Sequence, residues 1–147
     1  MNAEEPRPRP LLVVDGANVV GSVPDGWWRD RRGAAERLRD RLAAAGGPVD
    51  GPVPGPYEIV LVVEGRARGV ASVPGVRVEE APGSGDDLIA ALARDAGDRP
   101  CLVVTADREL RRRVAETGAR YVGPRALPQA PTPAPTPTPA PAPTENP

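Results

Sequence analysis

The chain has 147 residues, with 19 basic and 20 acidic side chains and a formal net charge of −1. That length leaves room for about one domain of the usual ~100–200 residues, and the charge balance creates no overall attraction to nucleic acid. There is no histidine and a single cysteine, Cys101, which excludes Ser/His/Asp and Cys/His catalysis, His-ligated zinc, an internal disulfide and a thiolate metal cluster.

The opening MNAEEPRPR, residues 1–9, is charged and broken by proline. It lacks the apolar run of a signal peptide or membrane span and reads as a solvated tail; the lone cysteine points to a cytoplasmic protein, with no membrane partner expected. LLVVDGAN (Leu11 to Asn18) follows. Four apolar residues running into Asp15 predict a buried parallel strand that ends at a polar carboxyl edge. A helix is expected from near Asp25 to near Ala45, with Ala34, Ala35, Leu38, Leu42 and Ala45 on its apolar face and Gly46 and Gly47 ending it. Of Trp27 and Trp28, one is expected to pack the helix start against the core; for the other, core or surface packing comes ahead of stacking a base.

PVDGPVPGP reads as a surface loop, and YEIVLVVEG as a second buried strand ending at Glu64. VRVEE alternates as an edge strand does, and GSGDDLIAALARDAG opens a helix. CLVVT is the third buried strand. It leads through Asp107 into the helix RELRRRVAETG and a last short strand, ARYVG. Residues 128–147, PQAPTPAPTPTPAPAPTENP, cannot bury a core. They read as an extended tail able to engage a protein partner. The folded domain is thus expected over residues 10–127.

Strands alternating with helices, the strands almost wholly apolar, predict an α/β fold with a mostly parallel sheet covered on both faces. Right-handed crossovers gather the carboxyl ends of the strands on one edge. That edge receives Asp15, Glu64, Asp86, Asp87 and Asp107. Carboxylates crowded together stay ionised only beside a compensating cation, and oxygen ligands without Cys or His select Mg²⁺ or Mn²⁺.

Each of these residues also has a plainer role. Asp15 before Gly16 fits a turn, Glu64 a solvated strand end, and Asp107 an N-cap. With Ser84 as N-cap, Asp87 stands where a capping box returns a hydrogen bond, which leaves Asp86 for the metal and Asp87 as cap or second ligand. Arg66 and Arg68 follow the second strand and are placed to hold substrate phosphates. Arg111, Arg112 and Arg113 read as a solvated helix face. All the basic residues are arginine, a bias that GC-rich codons produce.

VVDGANVV, IVLVVEG, GSGDDLI and VVTADREL with GARYVGP, in this order, resemble the NYN domain, a PIN-like group of metal-dependent nucleases that includes bacterial ribonucleases. The resemblance spans Leu11 to Leu127. It implies a PIN-like three-layer α/β/α sandwich and Mg²⁺- or Mn²⁺-dependent phosphodiester cleavage, with RNA as the expected substrate. Asp15, Asp86 and Asp107 match the family's acidic positions, and Asn18 its polar partner. Glu64 stands where related chains often carry aspartate. Two other functions fit the same residues: a non-catalytic RNA- or protein-binding module, and a metal-dependent nucleotide phosphohydrolase. The oligomeric state is not legible.

Overall fold

The computed structural model describes residues 9–22, 26–48 and 51–128, the side chain of Trp27 excepted. The expected N-terminal tail, apart from Arg9, and the proline-rich tail, apart from Pro128, lie outside the described residues. So does Asp25, the expected start of the first helix.

Among the described residues, nine regular elements follow one another. They are β1 (Leu11–Asp15), α1 (Gly16–Gly21), α2 (Arg31–Ala45), β2 (Glu58–Val63), β3 (Val76–Glu80), α3 (Gly85–Asp95), β4 (Cys101–Val104), α4 (Arg108–Ala115) and β5 (Arg120–Val122). Short 3-10 turns cover Trp27–Arg29, Gly65–Ala67 and Pro124–Ala126. The strands form one sheet in the order β3-β2-β1-β4-β5, and every ladder is parallel. The chain therefore winds outward from β1 to one edge, returns to β4 on the other side of β1, and winds outward again. The reversal falls between β1 and β4, the position at which open α/β sheets leave a crevice outside the strand ends.

Side-chain alternation divides the core into two layers. Leu12, Val14, Leu61, Val63, Leu102 and Val104 pack with Val19, Ala35, Leu38 and Leu42 of α1 and α2. Leu11, Val13, Val60, Val62 and Val103 pack on the other face with Ile89, Ala93, Leu110 and Val114 of α3 and α4. The architecture is the three-layer α/β/α sandwich expected. Cys101 is buried in this second layer, and burial pushes its thiol up to about 11, so it stays protonated.

Two expectations need correction around the first helix. It does not begin near Asp25: α2 starts at Arg31, where Asp30 accepts a hydrogen bond from the Gly33 amide at 2.9 Å. α1 and the 3-10 turn at Trp27–Arg29 stand before it. At its other end Ala45 is exposed rather than buried, because Gly46, at φ +79°, turns the chain away directly after it.

Gly16 begins α1 with no loop residue between strand and helix. A Cβ there would lie 2.5 Å from the Val62 carbonyl oxygen of β2, a backbone atom that cannot yield. The close approach, not an unusual φ, requires glycine. Gly16→Ala is expected to destabilise the fold by about 1–3 kcal/mol, read as a lower midpoint in urea unfolding.

Candidate active site at the carboxyl edge

The strand phase that builds the second core layer continues past the ladder. Asp15 follows Leu11 and Val13, Glu64 follows Val60 and Val62, and Thr105 follows Cys101 and Val103, so all three emerge on the side of α3 and α4. Those two helices begin at the same edge and bring Asp86 and Asp107. The sheet and the helix starts together assemble the acidic residues.

Asp15 is 5% exposed and is both the last residue of β1 and the N-cap of α1. Its Oδ1 accepts from the Asn18 amide at 3.3 Å and its Oδ2 from the Thr105 hydroxyl at 2.9 Å. Burial raises its pKa from 3.8 to about 6; the bonds from Thr105 and Asn18 oppose the rise, and the charges of Asp86 and Glu64 add to it. A cation placed beside Asp15 would reverse this cost.

Thr105, fully buried, was not among the residues singled out from sequence, yet it joins the two strand ends. Its Oγ1 donates to Asp15 and accepts from the Asp107 amide at 3.1 Å. Asn18 makes a second link, its Oδ1 accepting from the Ala106 amide at 2.8 Å. Asp107 is the N-cap of α4 and accepts from the Leu110 amide at 2.9 Å through one oxygen. The capping role and the position at the edge are thus combined in one residue.

Asp86, half-buried in the first turn of α3, has its pKa raised by burial and then by the charges of Asp107 and Glu64; Arg113 pulls it down and Asp87 raises it. Asp86 is therefore the residue within the field of the whole cluster. Glu64 lies against the start of α3: a Cβ on Gly85 would stand 2.8 Å from its Oε2. The absence of a side chain at Gly85 makes room for that carboxylate.

The capping box expected at α3 is not formed. Ser84 accepts from the Asp86 amide at 3.1 Å rather than from Asp87. The Asp87 side chain is 77% exposed and pairs with Arg113 of α4 at 3.1 Å. A charged partner on the neighbouring helix outcompetes the local return bond.

The arginines divide differently from the expectation. Arg68 donates to the Ala81 and Pro82 carbonyls, both at 2.8 Å, and so ties down the segment between β3 and α3. Arg66 is exposed and makes no ion pair among the described residues. Arg111, instead of belonging to a solvated run, is held in place: its Nε donates to the Thr105 carbonyl at 2.8 Å and its guanidinium lies 4.8 Å from the Tyr121 ring centre. Trp28 is 54% exposed, with the Arg29 guanidinium 5.8 Å from its ring centre. Beside the start of α1, a pocket of about 240 Å³ is lined by Gly16, Ala17, Val20, Arg31 and Glu64 among others. Two larger depressions beside Arg9 and Arg99 lie at the amino edge, away from the carboxylates.

Among the described residues, no three Asp, Glu or Cys side chains stand close enough to form a ready-made coordination shell. The donor set nevertheless fits a hard, hydrated ion. Mg²⁺ keeps several waters and is commonly bound through one or two carboxylates, and Asp15 and Asp86 both carry a raised cost of ionisation that such an ion would relieve.

The fold is a PIN-like α/β sandwich, with carboxylates at the switch-point edge of its parallel sheet. Among solved structures, the chain is similar to Rae1 (YacP) from Bacillus subtilis, in its W164L mutant form. The TM-score is 0.60 at 19% identity, over 80% of this chain and 72% of that one. No protein-family model matches the chain, and comparison with curated proteins finds no match. The likeness to Rae1 is one of fold. No helix among the described residues is long and apolar enough to cross a membrane.

Proposed function

We propose that the chain is a metal-dependent nuclease that hydrolyses phosphodiester bonds of RNA at the carboxyl edge. One observation carries the reading. A buried carboxylate, Asp15, sits at the switch point within the field of Asp86 and Glu64, its pKa raised to about 6, with a threonine and an asparagine bonded around it. The PIN-like scaffold shared with Rae1 (YacP) supports it, as do the NYN-like motifs of the sequence. Asp15, Asp86 and Asp107 are proposed to hold a hydrated Mg²⁺ or Mn²⁺, one or two of them directly and the rest through its waters, with Glu64 and Asp87 at the margin. A bound ion would supply an activated water and charge stabilisation at the phosphoryl group. Asn18 and Thr105 hold Asp15 in one orientation. Arg66, exposed after β2, is proposed to meet substrate phosphates, and Arg68 to contribute by shaping the adjacent loop.

Asp107→Asn makes a clean test, because asparagine caps a helix about as well as aspartate. The variant is expected to keep the parent's unfolding midpoint and to lose at least about a hundredfold in Mn²⁺-dependent cleavage of single-stranded and structured RNA. Cleavage equal to the parent's would remove Asp107 from the site. Free nucleotides assayed alongside identify a phosphohydrolase instead. The carboxylates' failure to form a closed ligand group favours a second reading, a non-catalytic RNA-binding module; that module would hold RNA equally well in EDTA and turn nothing over.

A further inference from the structure

Arg111 belongs to α4, where the two arginines that follow it are ion-paired and the first residue, Arg108, is exposed without an ion pair among the described residues. Arg112, one residue on, bonds Glu109 and Glu116, and Arg113 bonds Asp87. Arg111 makes no ion pair among the described residues. Two contacts nevertheless fix its direction, and a close approach to Gly123 accompanies them. Its Nε donates to the Thr105 carbonyl at the end of β4, its guanidinium lies over Tyr121 of β5, and a Cβ on Gly123 would lie 3.2 Å from its Nη2. Glycine at 123 keeps that side open. The carbonyl takes only Nε–H, so the donors on the two terminal nitrogens remain available.

A half-buried, pre-oriented guanidinium without a carboxylate partner is matched to a phosphate, which it can bind through two parallel hydrogen bonds. Its anchor is Thr105, the residue that also bonds Asp15 and Asp107. We infer that Arg111, braced by Thr105 and Tyr121, is a phosphate-binding residue that positions the sugar–phosphate backbone of single-stranded RNA beside the carboxylates of the sheet edge. The inference rests on the nucleic-acid reading above but not on turnover. The stacked ring restricts the side chain before the substrate arrives, so less freedom is lost on binding.

Binding of a short single-stranded RNA in EDTA, measured against salt concentration, tests Arg111 separately from cleavage. Arg111→Gln is expected to weaken binding about tenfold and to reduce the slope of log K against log salt by about 0.7, one phosphate contact on a single strand. Arg111→Lys should keep the salt slope while losing affinity, because it retains the charge but not the fork. Tyr121→Leu should weaken binding without changing the slope. In Mn²⁺, the loss in Arg111→Gln should appear in KM more than in kcat. Thermal unfolding of each variant identifies any that are misfolded, and Arg111→Lys then carries the comparison. A folded Arg111→Gln with the parent's affinity and slope overturns the inference even if the parent cleaves RNA. A parent that binds RNA through Arg111 but never cleaves overturns the nuclease reading alone, and a parent that binds no RNA overturns both.

Discussion

Without divalent ions at pH 8, Asp15→Asn is expected to unfold at a higher urea concentration than the parent while losing cleavage. The sign follows from proton binding. Asp15 titrates near 6 in the folded protein against an ordinary value of 3.8, burial being the main cause. Between those values the folded state holds a proton that the unfolded state releases, so stability falls as pH rises through the window. Below about 3.8 there is no penalty, and above about 6 it is complete, at about 3 kcal/mol.

Asparagine removes the buried charge but keeps only one acceptor oxygen for the two donors, the Asn18 amide and the Thr105 hydroxyl. That mismatch offsets part of the gain, leaving about 1 kcal/mol. The pH dependence of the urea midpoint between pH 4 and 6 should flatten, with a remnant from Asp86, whose pKa is also raised. Mn²⁺ added at pH 8 should raise the parent's midpoint and leave the variant's nearly unchanged. If both midpoints rise equally, the ion binds away from Asp15. Under the proposed role, a buried ligand that destabilises the empty fold is the usual cost of a functional site.

Thr105→Val is expected to have the second large effect. Valine nearly matches the shape but removes a hydroxyl that links the end of β1 to the start of α4. Asp15 loses a donor and the Asp107 amide loses its acceptor, a destabilisation of about 1–3 kcal/mol. The bond from Thr105 holds the pKa of Asp15 down, so removing it should move the acidic limb of the pH–rate profile to higher pH. Cleavage at neutral pH should fall ~10–100-fold, as for other groups that orient metal ligands, and Thr105→Ser should restore most of it. An unmoved pH profile in a stable variant would leave Thr105 a purely structural residue.

The apolar runs LLVV, IVLVV and CLVV fixed which segments are buried strands, because only strands covered on both faces are apolar at successive positions. Their terminal residues, Asp15, Glu64 and Asp107 after Thr105, were legible as edge residues for the same reason: right-handed crossovers send every parallel strand the same way. The helix start was less legible. Asp25 and Asp30 are both acceptable caps, and the short turn at Trp27–Arg29 has no periodicity to announce it.

Spacing within the chain determined the fold class, the sheet's polarity and the existence of an acidic edge. What the tertiary structure alone decided is who meets whom there. Asp87 had the spacing of a capping box, but its carboxylate pairs with Arg113, distant in sequence. Thr105 looked like one more strand residue, and only the pairing of β1 with β4 brings its hydroxyl to Asp15. Arg111 sat in a run of three like charges, and the docking of α4 against β5 singled it out. Hydrophobic periodicity is a property of neighbouring residues and survives in the sequence. A hydrogen bond across the sheet depends on strand order and register, which no local pattern carries.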